Sequence, residues 1–386
     1  MKSADRPNAR RAALALALLL AGCGGGSDEP IEIGLAGPLD QANGRSMKLA
    51  AEMAVEEINR GERIGGRKVR LVFGDDKADS RLAIDVARRL RDSSEVVAVI
   101  GHVNSTATLE AAKVYNDESG SHEKPPVPQI SPASSSPLVS EAGPWTYRVC
   151  PSDLLHGPRV ANLAYSRLGS RRAAVLYTND AYGRGVAETF ATAFQQAGGT
   201  VVSRDPYLKA TVEADGAVDA FLARAIRRGM DALMIAGQAD VGVRIVRDAR
   251  RLGFTGPVVG ADGMTGAKDA GAAAEGIYVS SAFLPDRSAP KAREFVQAYS
   301  KKYNELPDHR GAMTYDAIKL VAQAIGEVGA NREALRGYLD RVGRQGGVPA
   351  FEGVSGTIAF DEKGDVPGKE VVVGVVRGGR LVSVQQ

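Results

Sequence analysis

Short apolar strands and amphipathic helices alternate along nearly the whole of this chain, and that rhythm limits what it can fold into. Ile31, Ile33 and Leu35 alternate with smaller or polar residues as a strand does. Leu49, Met53 and Ile58 then mark a helix over 44–60. Val69, Leu71 and Phe73 alternate again, and Leu82, Val86 and Leu90 recur at four-residue spacing on a helix that Asp79 or Ser80 starts. The run 96–100 (VVAVI) is apolar throughout, the mark of a strand covered on both faces of a parallel sheet, and a helix follows over 106–116. Five prolines keep 121–137 from being helical, so that segment reads as a short strand near 127–130 and an ordered loop. After Pro151 the rhythm restarts. Strands at 173–177, 201–203, 232–235, 258–260 and 277–280 are separated by helices bearing Val186, Phe190 and Phe194, then 219–228, then 241–252. Helices on Phe295, Tyr299 and Tyr303 and over 315–328 follow. The tail reads instead as strands 357–360, 371–376 and 381–384, with turns at Lys363-Gly364 and Gly378-Gly379.

Such alternation specifies parallel, doubly wound α/β sheets, and roughly 355 residues after the first strand's start exceed one compact core, so two are expected. Ligands bind beyond the carboxyl ends of strands in these sheets, which directs attention to the loops there.

The N-terminus predicts export. Lys2, Arg6, Arg10 and Arg11 precede an apolar run, Ala12–Ala21, that is ten residues long. A spanning helix needs about 20 such residues, whereas a signal peptide needs about 7–15. The run closes on Leu20-Ala21-Gly22-Cys23, which resembles the bacterial lipobox. That resemblance implies a signal peptide over 1–22, lipid on Cys23 and membrane anchoring through it, with a glycine-rich tether over 23–30. Of 49 Lys+Arg and 46 Asp+Glu, the leader holds four basic residues and one acid, which leaves 45 of each sign. No basic run with interleaved aromatics remains, so nucleic acid is not an expected partner. With Cys23 lipidated, Cys150 has no partner for an intrachain disulfide and reads as a small buried apolar residue.

Three loops after strands carry polar chemistry. Gly101-His102-Val103-Asn104-Ser105-Thr106 leads a buried strand into a helix, whose free amides favour an anion; Ser105 and Thr106 are read either as its ligands or as plain caps. Ile130–Pro137 (ISPASSSP) is an extended loop of carbonyls and hydroxyls, and equally a solvated surface loop. Gly260-Ala261-Asp262-Gly263 offers an acid between glycines, either for an ammonium or as a turn aspartate.

Together with Gly34–Pro38, Ala54–Asn59 (AVEEIN), Tyr182–Gly185 (YGRG) and Asp361–Gly364 (DEKG), these loops make the chain resemble the type I periplasmic binding proteins. The likeness is greatest to the branched-chain amino-acid-binding (Leu/Ile/Val-binding) family of ABC transporters, and it runs from Ile31 to Val384. It implies two doubly wound parallel-sheet lobes joined by three crossovers, a Venus-flytrap that closes on an amino acid. The lobes would be 31–152 plus 284–356, and 153–283 plus 357–386. Ser105 would bind the ligand carboxylate by its hydroxyl and backbone N–H. The Ala133 carbonyl and the Ser135 hydroxyl would take the ammonium from the same lobe. Asp262 would complete the ammonium cage from the facing lobe, and Tyr182 would cover the ligand, with Asn43, Val103 and Gln238 in the pocket.

Departures from that family qualify the likeness. Asp262 stands where glutamate is frequent, and Gln238 lies in a loop without the frequent tyrosine. Asn43 stands where a bulky aromatic can line the pocket, and Asn104 replaces a disulfide cysteine. A less apolar pocket argues against assuming leucine, isoleucine or valine. The expected partners are a small zwitterion and an ABC permease, the protein acting as a monomer on the periplasmic side without cofactor or metal. A ligand sensor that presents its closed form to a membrane receptor is the alternative. An enzyme is disfavoured: G-x-S-x-G, Walker A and H-E-x-x-H patterns are absent, and the four histidines (102, 122, 156, 309) lack metal-ligand spacing. Ser121–Lys124 matches S-x-x-K but lies in a polar loop without its companion motifs.

Overall fold

The computed structural model describes residues 29–384 apart from 62, 63, 123, 213 and 288. Cys23, the leader before it and the tether up to residue 28 lie outside them. Among the described residues no helix is long and apolar enough to cross a membrane.

The first half builds β1 (Ile31–Gly37), α1 (Ala42–Arg60), β2 (Val69–Asp75), α2 (Ser80–Asp92), β3 (Val96–Ile100), α3 (Ser105–Tyr115), β4 (Gln129–Ser131) and β5 (Thr146–Arg148). Their parallel sheet has the order β2-β1-β3-β4-β5. Every residue of β1 and β3 is buried, whereas edge strand β2 leaves Phe73 at 41% exposure, as expected when helices cover only the sheet's middle. Asp79 starts α2 by accepting from the amides of Arg81 and Leu82, and Ala83, Val86, Ala87 and Leu90 then face the sheet.

The second half builds α4 (Asp153–Asn162), β6 (Arg172–Thr178), α5 (Ala181–Gln196), β7 (Thr200–Tyr207), α6 (Asp219–Arg227), β8 (Ala232–Ala236), α7 (Ala239–Arg251), β9 (Val258–Gly260) and β10 (Tyr278–Ser281). The chain then adds α8 (Pro290–Tyr303), α9 (His309–Val328), α10 (Arg332–Leu339), β11 (Phe351–Gly353), β12 (Gly356–Ile358), β13 (Val372–Arg377) and β14 (Arg380–Ser383). The second sheet has the order β14-β13-β10-β9-β8-β6-β7, with all strands in one direction except β13, which is antiparallel to both its neighbours.

Core packing decides which lobe each late element joins. Met313, Ile318, Val321, Ile325, Leu335 and Leu339, from α9 and α10, share a core with β1 and β3. Each such side chain moved out of water contributes about 1.5–3 kcal/mol, enough to fix these helices on the first lobe. Ile358, Phe360 and Val366 enter the same core, while Val373 and Val376 pack in the second lobe. The boundary at 357 is therefore too early. The strand there is half of a small β11–β12 hairpin on the first lobe, and the chain returns to the second lobe only after Val366. Strand β5 and helices α4 and α10 escape a reading of periodicity because each is short or begins beside a proline or turn. Cys150 is buried in the first core, and burial pushes its thiol up, as an inert structural cysteine requires.

Candidate functional site

Loops that leave the carboxyl ends of strands in both sheets meet in a cleft enclosing about 250 Å³, part of it open to solvent. The first lobe contributes Val103, Asn104 and Ser105 from the β3–α3 connection and Ala133 from the loop after β4. The second contributes Tyr182, Gln238, Asp262 and Gly263 from the ends of β6, β8 and β9. Arg310, in the first turn of α9, completes the lining.

The first-lobe wall is cross-tied. Gly101 has φ +145°, and a Cβ there would stand 2.1 Å from the Ala36 carbonyl oxygen, so the tight exit from β3 requires glycine. The Ser131 hydroxyl donates to the His102 carbonyl at 2.7 Å, and the Ser134 hydroxyl lies 3.1 Å from the Val103 carbonyl and 2.6 Å from the Thr108 hydroxyl. Buried Arg148 donates from Nη1 to the carbonyls of Ser135 and Ser136, at 3.2 and 2.8 Å, and from Nη2 to Asp365 at 2.7 Å. One guanidinium thus holds the 134–136 loop against the crossover that carries Asp365.

The capping reading of Ser105 and Thr106 does not hold. Asn104 is the N-cap of α3 and makes no side-chain capping bond. Ser105 Oγ accepts from the Ser136 amide at 3.3 Å, leaving its own proton to donate, beside helix amides that have no intrahelical partner. Thr106 Oγ1 accepts from the Ala181 amide at 3.2 Å, and so bridges the lobes.

The second-lobe wall carries charge. Asp262 is buried, and the Tyr182 hydroxyl donates to its Oδ1 at 2.9 Å while accepting from the Gly263 amide at 2.7 Å. A Cβ on Gly263 would stand 2.6 Å from that hydroxyl, so glycine permits the clamp. Burial opposes ionisation of Asp262, yet surrounding His156, His309 and Arg310 and the Tyr182 hydroxyl hold its carboxyl below the ordinary value. Burial lowers both histidines, His309 to about 4, so near neutral pH Arg310 and Tyr182 are what remain to favour the carboxylate. His309 Nε2 stands 3.8 Å from Asp262 Oδ2, and neither of its ring nitrogens has a hydrogen-bond partner.

Asp153, at the start of α4 in the first crossover, behaves oppositely. Burial raises its carboxyl well above the ordinary value and the charge of Asp262 adds to this, while the nearby Ser135 hydroxyl and Arg148 offset only part. Both Asp153 oxygens and Ser135 Oγ are buried without a hydrogen-bond partner. Two carboxyls pushed in opposite directions therefore lie within electrostatic reach of each other. A cation arriving near both would favour the ionised form of each.

The structure brings Val103, Ser105, Ala133, Tyr182, Gln238 and Asp262 together on the cleft. It does not bring two others to the lining: Ser135 is buried behind it, and Asn43 sits half-buried in the first turn of α1. Sequence reasoning missed Asn104, Asp153, His309 and Arg310. Their one signal was charge or polarity at a helix start, which reads by default as capping. Among the described residues no cluster of three or more His, Cys, Asp or Glu is placed to hold a metal ion.

The model of the periplasmic binding protein family matches residues 30–380. The chain is 26% identical over 360 residues to the Leu/Ile/Val-binding protein homolog 1 of Brucella abortus (strain 2308), with 91% of each covered. A solved leucine-binding protein from Thermotoga maritima is 30% identical, with a TM-score of 0.82 over 92% of this chain and 98% of that one. An ABC transporter substrate-binding protein from Desulfitobacterium hafniense, solved with Leu, is 30% identical with a TM-score of 0.76, covering 92% of this chain and 100% of that one.

Proposed function

The chain belongs to the periplasmic binding protein family, extracytoplasmic solute-binding proteins rather than enzymes, and from that premise we propose that it captures a small amino acid or similar zwitterion and hands it to an ABC permease. The observation that carries this reading is the pairing of the two walls. A neutral wall offers the Ser105 hydroxyl and the free amides of α3, which suit a carboxylate. The facing wall offers an ionised, oriented Asp262, which suits an ammonium together with the Ala133 carbonyl. Asp153 behind the cleft would supply a second charge to that ammonium.

Because the two ends of such a ligand are held from different lobes, binding would favour the closed arrangement over an open one. Bonds from Ala181 to Thr106 and from Arg310 to Thr265 already span the lobes. Lipid at Cys23 would keep the hinging receptor beside its permease, a role supported by the Leu20–Cys23 motif in the sequence.

Calorimetric titration of the purified protein against an amino-acid panel tests the reading. At least one amino acid should bind with a 1:1 stoichiometry. If none does, while a sugar or an aromatic acid binds, the zwitterion site is wrong.

A further inference from the structure

Arg310 is the cleft residue that a pocket for an aliphatic side chain least needs. It lines the cleft, is 5% exposed, and reaches it from the first lobe's α9. Its engaged donors sit on Nη1, which meets Asp308 Oδ2 at 3.2 Å and Thr265 Oγ1 at 3.3 Å. The Nε donor is buried with no partner. Asp308 is shared in turn, because its other oxygen accepts from the Gly311 amide at 3.0 Å to cap the helix. A guanidinium presents five N–H donors in a fixed fork, and a buried one left part-satisfied favours an oxygen pair that fits it.

The cation and the anion of the cleft are also kept apart. Asp262 feels the charge of Arg310, but among the described residues no ion pair joins them. The cleft lining also includes two amides, Asn104 and Gln238, beside the smaller apolar Val103 and Ala133. An isoleucine or leucine side chain placed there would leave the buried Nε donor of Arg310 without a partner.

We propose that Arg310 selects amino acids whose side chain ends in a carboxylate, so that the natural ligand is an acidic amino acid rather than a branched-chain one. This rests on the amino-acid reading above and adds the identity of the side chain to it. The distal carboxylate takes the free edge of the guanidinium, while Ser105 and Asp262 hold the α-carboxylate and the ammonium. A structural role for Arg310, as a latch between α9 and Thr265, predicts a different pattern, because a latch strengthens closure on every ligand alike.

Titration of wild-type protein with L-aspartate, L-glutamate, L-leucine and L-valine separates these. At least one acidic amino acid should bind about tenfold or more tighter than either neutral one. Arg310→Met should remove that preference, weakening the acidic ligands at least about tenfold more than leucine or valine, which lose only the Thr265 contact that spans the lobes, and Arg310→Lys should keep part of it. A thermal melt of each variant establishes that it folds; if Arg310→Met does not, the wild-type ratio and Arg310→Lys carry the test. Leucine or valine matching both acids in the wild type overturns the proposal while leaving the amino-acid reading intact. Equal weakening of acidic and neutral ligands by Arg310→Met overturns it in favour of the latch. Failure of all four, and of the wider panel, removes the amino-acid reading and this proposal with it.

Discussion

The two walls of the cleft are built on opposite plans. The loops of the first-lobe wall are made of carbonyls and hydroxyls that mostly bond one another, with Ser135 Oγ and Asn104 Oδ1 the exceptions, so their shape needs little from a ligand. Ser131, Ser134 and Thr108 tie the loops after β3 and β4 together, and Arg148 holds the second loop from below. The opposing surface carries the charge and the unfinished business of bonding: Asp262 from the second lobe meets His309 and Arg310 from the start of the first lobe's α9, with orphaned nitrogens on the last two. A wall that satisfies itself can stay rigid, and one that does not gains from whatever completes it. Rigidity and selectivity have been given to different surfaces of the cleft, and the first lobe supplies both the rigid loops and, through α9, part of the selective surface.

The largest effect that could break this contrast comes from the support under the first wall. Arg148→Met removes the donor to Ser135 and Ser136 and leaves Asp365 without its cation. Asp365 is 16% exposed and keeps the Ser140 hydroxyl, so breaking this part-buried pair costs up to about 3 kcal/mol. The expected result is a melting temperature lower by several degrees and a matching fall in the denaturant midpoint. Stability equal to wild type would mean that the wall does not depend on Arg148. On the facing wall, Asp262→Asn keeps the acceptor for the Tyr182 hydroxyl but removes the charge. It should leave melting nearly unchanged and weaken amino-acid binding by roughly 1.5–3 kcal/mol, about 10- to 150-fold. Wild-type affinity would take Asp262 out of the ammonium role.

These two residues also mark how far the sequence could be read. Asp262 follows a three-residue strand between glycines, so a rule about strand ends leads straight to it. Arg148 sits between Tyr147 and Val149 in a short strand, and its partner Asp365 lies 217 residues away. No local pattern announces such a pair. Arg310 was hidden differently, since only the packing of α9 against the first lobe turns its first turn toward the cleft. The doubly wound halves were legible because periodicity is local. The return point after Val366 was not, because strand spacing cannot say which core a strand joins.

An intermediate effect concerns protons. Asp153 is raised by burial first and by Asp262 next, so in the free protein it keeps its proton to a higher pH than an ordinary carboxyl. An ammonium favours the ionised form, so binding should release a proton, and affinity should fall as pH falls, by at most about tenfold per unit for one group. His309, lowered to about 4, stays neutral over that interval and does not reverse the sign. Calorimetry in buffers of different ionisation enthalpy reads the release directly, and Asp153→Asn should abolish it. Proton uptake on binding would contradict the assignment.

The smallest expected effect tests whether the contrast matters for closure. Thr106 belongs to the rigid wall, yet its hydroxyl spends its acceptor across the cleft on the Ala181 amide at the start of α5. That amide is among the first of its helix and has no intrahelical partner, so in the apposed state Thr106 is what satisfies it. In a separated state water can do so equally well. Thr106→Val keeps the shape and removes the acceptor, which penalises only the apposed state, by about 0.5–1.5 kcal/mol. Affinity should drop by about 2- to 12-fold, while the melting temperature of the ligand-free protein moves little. The loss should also be alike for every ligand that binds, since the contact touches none of them. A ligand-dependent loss would mean that Thr106 reads the ligand itself, and the division between a rigid wall and a selective one would then fail at this residue.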